Sequence, residues 1–541
     1  MKLIRVKLLS SFRGLPKNFE ITFQNHKIDP KKIEPICLIG LNGSGKSNLL
    51  EVISEIFYFL ENFSRARNSE IKKFKTSFGF EIEYYLSRNV FNTNKASDYK
   101  EAKNYQIKVL ITKKIDEAPK AFALDDDFEY ICESPDNFSS YLPNQIIAYS
   151  SGMNELISNP FIKMDFQYLE DFAKLSNNSL DTLSDNRMFF MDYDANKLIT
   201  ISNFLFDESF DESNLGVINL KPIKDELQIK NIHSFSISIK LRDNNKKKIK
   251  LPSVLNIAIE DLKKCATIFE ENKKKSYTEY QFYFYVNSAT KKLFKRYFKS
   301  ANELYKRLYY FRLLNNHLIS QKTIKNIQEN SKNINISALL PKHEENEKVF
   351  NIFDIAFRKQ NTKNIVYYKQ LSDGEHQFLQ VFGILLLVDK LGTLFLFDEP
   401  ETHFNPDWRS KFVNIANKSI FNEDIFREQE LILTTHSPFI VSDCRQENVY
   451  QFTRDKKTKK ILSPSNPDFQ TYGTSIEMIY WNIFKKHQSI SDIALDELNA
   501  IKEKIVNNKL SKNEAIKELS RFGDSFEKMN IINILREKFD K

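Results

Sequence analysis

Gly40-Leu41-Asn42-Gly43-Ser44-Gly45-Lys46-Ser47 fits the phosphate-binding template G-x-x-x-x-G-K-[ST] at every fixed position. Its flanks supply the context the template needs. Pro35-Ile36-Cys37-Leu38-Ile39 is a short apolar run suited to a buried strand, and Asn48-Leu49-Leu50-Glu51-Val52-Ile53 continues as a helix. Glycines here let successive backbone N–H groups turn inward around an anion, at a helix N-terminus whose partial positive charge favours it. The expected nucleotide-contacting set is Gly40, Asn42, Gly43, Ser44, Gly45, Lys46, Ser47 and Asn48. Lys46 would reach the β- and γ-phosphates, and the Ser47 hydroxyl would bind Mg²⁺. A chance glycine-rich turn needs neither the Lys-Ser pair nor these flanks.

Composition narrows the surroundings of that loop. The chain has 541 residues, 28% charged and 41% hydrophobic, which is a globular composition large enough for more than one structural unit. A net charge of +9 permits nucleic-acid contact without arguing for it. Cys37, Cys132, Cys265 and Cys444 are scattered with no C-x-x-C pair, so reduced thiols in a cytoplasmic protein are expected. Met1-Lys2-Leu3-Ile4-Arg5 leads into no sustained apolar segment, which argues against a signal peptide. The apolar region from Phe378 to Phe397 is broken by Asp389 and Lys390, so it reads as a helix and a strand, with no membrane span expected.

Taken in order, Leu3 to Leu8, Phe19 to Phe23, Phe78 to Leu86 and Tyr105 to Thr112 read as strands, and an antiparallel lobe over the nucleotide strand is expected. Asn144 to Ser151 reads as a buried strand whose Gln145 or Ser150-Ser151 turn approaches the nucleotide. The long separation between Lys46 and Ser372 implies an insertion, and the absence of sustained heptads argues for a compact helical body over a coiled-coil arm. The expected division is a head segment 1–163, a mainly helical insertion 164–350, a second head segment 351–465 and a helical C-terminal region 466–541 with a possible partner-binding role. Within the insertion, Lys291 to Lys299 and Tyr305 to Arg312 interleave basic and aromatic residues. That pattern could serve phosphate contact with base stacking, but it reads first as a core-facing amphipathic helix with a solvated basic face. The runs Lys246-Lys247-Lys248 and Lys273-Lys274-Lys275, and the acids Asp125-Asp126-Asp127 and Asp192-Tyr193-Asp194, read as solvated segments.

The second half of the nucleotide site begins at Leu371-Ser372-Asp373-Gly374-Glu375-His376-Gln377, a signature-loop pattern opening an apolar helix, where Ser372 and Gly374 can meet a γ-phosphate. One helix later, Thr393-Leu394-Phe395-Leu396-Phe397-Asp398-Glu399 is an apolar strand ending in paired acids. Asp398 is placed to hold the Mg²⁺ shell and Glu399 to act as general base on the attacking water. Leu431-Ile432-Leu433-Thr434-Thr435-His436 is a further buried strand whose histidine can sense the γ-phosphate. The candidate catalytic residues are therefore Glu399, His436 and Lys46, and the candidate metal ligands Ser47 and Asp398.

Together these four motifs resemble the ABC-type ATPase head shared by structural-maintenance-of-chromosomes, Rad50, RecF and overcoming-lysogenization-defect proteins, over roughly residues 1 to 160 and 350 to 450. The resemblance implies an α/β fold with a mixed sheet, helices and an antiparallel lobe, with ATP and Mg²⁺ as ligands. It also implies a homodimer or higher homo-oligomer through the heads, in which Ser372 and Gly374 face nucleotide held by the partner copy. Asp398-Glu399-Pro400-Glu401-Thr402-His403-Phe404-Asn405-Pro406 with Thr434 to Pro438 looks like the AAA-family ATPases of bacterial anti-phage defence, though Asn405 departs from the usual second histidine. Gly523-Asp524-Ser525-Phe526-Glu527-Lys528 resembles the endings of the PtuA-type ATPases of Septu and retron-associated systems.

No Toprim constellation follows residue 450, and the eight histidines form no H-N-H motif, so no nuclease activity of the chain's own is expected. The resemblance implies a PtuB-like HNH nuclease bound in trans and, in retron versions, a reverse transcriptase with its RNA–DNA hybrid. The alternative is a RecF/Rad50-like repair or chromosome-organising ATPase that clamps DNA directly, through a surface such as Lys291 to Arg312. A transporter ATPase fits least, because the insertion does not suit that role.

Overall fold

The computed structural model describes the chain apart from residues 24–32, 67–77, 88–105, 126–127, 133–134, 153–155, 176–185, 208–218, 245–246, 249–250, 275, 331–334, 342, 389–390, 421–428, 487 and 540–541. Asp126, Asp127, Lys246, Lys275, Asp389 and Lys390 lie outside the described residues.

The central layer is a parallel sheet in the order Val449–Phe452, Ile36–Gly40, Gln429–Thr434, Thr393–Asp398, Gln145–Ser150 and Met188–Phe190. Its middle strands are largely apolar runs, buried at every position but Gln429 and Asp398, as a sheet covered on both faces requires. The phosphate loop opens the helix Lys46–Arg65, whose Leu49, Leu50, Ile53, Ile56, Phe57 and Leu60 are buried. Phe57 and Phe59 meet Tyr84 and Phe80 of an antiparallel sheet ordered Glu20–Thr22, Lys2–Leu8, Phe80–Ser87, Gln106–Lys113, Lys120–Asp125, Phe128–Cys132. This is the expected antiparallel lobe. The fold is mixed α/β, with a parallel sheet, antiparallel sheets and a helical C-terminal region. In that region the helices Asp492–Val506, Lys512–Leu519 and Phe526–Phe539 share a small core of Leu498, Ile501, Ile505, Leu519, Ile531 and Leu535.

The middle segment is mainly helical but also carries strands. It contributes Ile229–Asn244, Ile268–Lys274 and Tyr277–Tyr285 to a second antiparallel sheet, completed by Phe350–Lys359 and Ile365–Tyr367. The physical signal is a period of two in Ser234-Phe235-Ser236-Ile237-Ser238-Ile239, where Phe235, Ile237 and Ile239 are buried on one face. The helix Tyr193–Phe206 packs on Asp373–Leu387, where Asn203 donates to the Gly383 carbonyl at 2.8 Å. The segment is thus built into the head's core.

The basic-aromatic stretch follows the core-facing reading. Its helices Ser288–Phe298 and Ala301–Leu313 turn Phe294, Phe298, Tyr305, Tyr309 and Phe311 into the core, so these rings are not available to stack on bases. Arg312 is partly buried, 2.8 Å from Asp192; desolvation disfavours its charge, but Asp192 and Asp165 outweigh that and hold its pKa above the ordinary value. Lys291 donates to the Asp207 carbonyl, leaving Lys292, Arg296 and Lys299 as the exposed cations of the first helix. Ring spacing of three and four residues decides the matter: it makes one apolar stripe, which a core absorbs. Asp192 caps the helix Tyr193–Phe206 by accepting from Ala195 N, and Asp194 pairs with Lys348 at 2.6 Å, so this acidic pair serves the fold.

Candidate functional site

Strand register brings the site together. Asp398 lies opposite Thr434 on one side and Ser150 on the other, while Thr434 lies opposite Leu38, so the carboxyl ends of three of these parallel strands finish level with the phosphate loop. Ligand crevices in open parallel sheets form at such ends. Gln145 sits at the opposite end of its strand, paired with Thr393, and so is far from the loop; Ser151 is on the site side, where its N–H donates to the Asp398 carbonyl at 3.1 Å.

In the loop itself Gly40 and Gly45 have φ of 144° and 105°, and a Cβ at these positions would stand 2.5 Å from the Phe452 carbonyl oxygen and 2.8 Å from Ile461 Cδ1. Glycine is required at both. Leu41, Asn42 and Gly43 are exposed, whereas Ser44 is buried with its Oγ unpartnered. A buried hydroxyl without a partner is costly in isolation and suits a ligand oxygen at the loop. Arg454 was not anticipated: its Nε donates to the Gly43 carbonyl at 2.8 Å, clamping the loop from a position after the last strand of the sheet. No motif marks it, because its sequence neighbours are an ordinary charged turn.

Lys46 is buried and its Nζ donates to the Gly40 carbonyl at 2.9 Å, with His436 Nε2 at 3.1 Å. Burial lowers its pKa, and the charges of Glu399 and Asp398 partly restore it. Ser47 Oγ donates to Asp398 Oδ1 at 2.9 Å, and Thr434 Oγ1 donates to the same oxygen at 2.6 Å. Burial nonetheless raises the Asp398 pKa, the two hydroxyls opposing it. Glu399 follows in a left-handed conformation at φ 50°, its N–H held by the Thr434 carbonyl and hydroxyl, its Oε1 3.5 Å from His436 Nε2. Thr434 therefore orients both acids at once. His436 has its pKa pushed down to about 4, by burial first and then by Lys46, so its ring is neutral at neutral pH. Phe484 from the C-terminal region lies 6.0 Å from that ring, a neighbour no local pattern announces.

Ser372 and Gly374 are brought to a different turn. Ser372 caps the helix Asp373–Leu387 in a reciprocal box with Glu375, and a Cβ on Gly374 would lie 2.7 Å from the His403 carbonyl oxygen. Gln377 Oε1 accepts from His403 N at 2.9 Å, tying that helix to the turn after the acidic strand. Asn405, the departure from the defence-type pattern, caps the helix Pro406–Ser410 by accepting from Trp408 N at 2.8 Å. Among the described residues no three His, Cys, Asp or Glu side chains converge as a metal cluster, and no helix is long and apolar enough to cross a membrane.

Residues 270–442 match the family described as "AAA domain, putative AbiEii toxin, Type IV TA system". Protein ea59 of Escherichia phage lambda is 29% identical over 161 residues, which is 29% of this chain and 29% of that protein, so the chain spans under a third of that relative's length. The SMC head domain from Thermotoga maritima is a structural neighbour at 10% identity and a TM-score of 0.31, over 86% of this chain and 100% of that one. The segment similar to the AAA domain starts in the second antiparallel sheet and ends past His436, so it contains the signature helix, the acidic strand and the histidine strand.

Proposed function

We propose that the chain binds ATP with Mg²⁺ and hydrolyses it, and that in doing so it controls a nuclease bound in trans as part of bacterial anti-phage defence. The observation that carries the ATPase reading is the convergence of Lys46, Ser47, Asp398, Glu399 and His436 at the ends of adjacent parallel strands. The phosphate loop's N–H groups, the free Ser44 hydroxyl and Lys46 hold the phosphates. Ser47 and Asp398 supply the oxygen ligands a hard cation prefers. Bound there, Mg²⁺ supplies neutralisation of phosphate charge. Glu399, held by its backbone and by Thr434, orients the attacking water and takes its proton; neutral His436 offers a hydrogen bond without competing for it.

The Ser372 side chain is engaged with Glu375 rather than with this cluster within one chain, and the family resemblance has Ser372 and Gly374 complete the partner's site in a head-to-head homodimer. The HNH nuclease, and the reverse transcriptase with its RNA–DNA hybrid in retron versions, rest on the resemblance of Gly523 to Lys528 and of the acid-Pro-acid turn to PtuA-type ATPases. Direct clamping of DNA loses support from the burial of Tyr305 and Tyr309 and from the pairing of Arg312 with Asp192.

Glu399→Gln tests the ATPase. The variant is expected to bind a fluorescent ATP analogue as the parent does and to lose turnover by about 10² to 10⁴ fold; full turnover refutes the base assignment. Affinity purification from the native operon tests the partner: a co-eluting HNH protein supports the defence reading, and a lone dimer stimulated by DNA rejects it.

A further inference from the structure

The strand Ile268–Lys274 ends the second antiparallel sheet: Tyr277–Tyr285 pairs with one edge, and among the described residues no strand pairs with the other. Its sequence is Ile268-Phe269-Glu270-Glu271-Asn272-Lys273-Lys274, acids in one half, bases in the other and Asn272 between them. Every residue but Glu271 is exposed, including Ile268 at 59% and Phe269 at 47%. Open edges are commonly blunted by charged side chains, lysine above all. Here the signs are antisymmetric about Asn272, so the strand is its own complement when read backwards.

We propose that this strand pairs antiparallel with the same strand of a second copy, about a two-fold axis at Asn272. Glu271 then faces the partner's Lys273 and Glu270 the partner's Lys274, and symmetry repeats both pairs. Backbone parity selects the same register independently. The pairing of Lys274 with Tyr277 leaves two residues in the turn, which makes Lys274 and Tyr277 a hydrogen-bonded pair. The backbone groups of Lys274, Asn272 and Glu270 therefore point inward, and those of Glu271 and Lys273 point to the open edge. Outward residues must face outward residues, so the axis passes through a residue and not between two. Centring on Glu271 or on Lys273 sets that residue against its own copy; centring on Asn272 sets no like charges together. In a single chain the exposed Lys273 folds back on the half-buried Glu271 at 2.8 Å, so association exchanges that contact and adds the Glu270–Lys274 pairs and a backbone ladder.

This contact is separate from the head-to-head interface and needs no nucleotide. The test uses the full chain without nucleotide, by sedimentation velocity over a concentration series. The parent is expected to self-associate. Glu270→Lys with Glu271→Lys, and separately Lys273→Glu with Lys274→Glu, are each expected to lose that association, and an equimolar mixture to regain it, because the two altered strands complement each other. A parent that stays monomeric, an unchanged association in either variant, or a mixture that fails to re-associate overturns the proposal. Cross-linking provides a second readout: Asn272→Cys is expected to form a disulfide-linked dimer under mild oxidation, and Ile268→Cys, as exposed and on the same face, is not. Equal cross-linking at the two positions overturns the register.

Discussion

Replacing Glu401 with Gln should make the protein more stable at alkaline pH and flatten its dependence on pH. Glu401 is 4% exposed, one oxygen accepting from the Thr435 hydroxyl and the other buried without a partner. Burial lifts its pKa from 4.5 to about 7. A carboxyl whose folded pKa is raised adds stability below its unfolded pKa and loses it as pH rises through the folded value. That rise, at about 1.4 kcal/mol for each tenfold change in proton affinity, amounts to roughly 3 kcal/mol lost by the parent between about pH 4.5 and pH 8. Gln keeps the acceptor for Thr435 and does not titrate, at a cost of about 1 kcal/mol for an amide N–H without an acceptor. The variant should thus be more stable than the parent by about 2 kcal/mol at pH 8 and no more stable at pH 5. Urea unfolding followed by tryptophan fluorescence reads this region, since Trp408, in the helix Pro406–Ser410 that follows the turn after Glu401, lies 4.8 Å from Phe378 and 5.8 Å from Phe404. Glu51, also raised to about 7, leaves a slope in both proteins, so the difference between the curves isolates Glu401. Parallel curves would refute the reasoning.

Thr434→Val removes a hydroxyl that donates to Asp398 at 2.6 Å, and the Asp398 pKa should rise further. A hydrogen bond to a charge contributes about 1.5 to 3 kcal/mol, so the acid limb of the ATPase pH profile should move up by about one to two units; a limb that stays in place rejects the role of Thr434. Arg312→Leu leaves Asp165 and the half-exposed Asp192 without their cation and should destabilise the fold by about 1 to 3 kcal/mol, read as a lower urea midpoint. An unchanged midpoint would return that segment to the surface.

The parts of the site legible in the sequence were those whose geometry is local. The phosphate loop carries strand, turn and helix in a single stretch, and Asp398-Glu399 and His436 each end an apolar strand whose direction already says where they point. Arg454, Thr434 as a bridge between both acids, and Phe484 beside His436 were not legible, because each acts through register or packing between distant segments. The antiparallel lobe was readable from alternation. The second sheet was obscured by a lysine-rich aromatic composition, although Ser234 to Ile239 alternates just as plainly. In the helices from Ser288 to Leu313 the basic residues drew attention to chemistry where the ring spacing described a core.

The strand order of the parallel sheet sets a timetable for the chain. Ile36–Gly40 lies between Gln429–Thr434 and Val449–Phe452, so the first strand of the sheet to leave the ribosome waits for the last two before it has either neighbour. Pairings this distant in sequence close late and slowly. Until then Cys37, Leu38 and Ile39 have no flanking strands, which is the condition in which chaperones and proteases meet a nascent protein. A chain interrupted before Leu431 carries the whole phosphate loop yet lacks Thr434 and His436, so truncated products are built without a working centre.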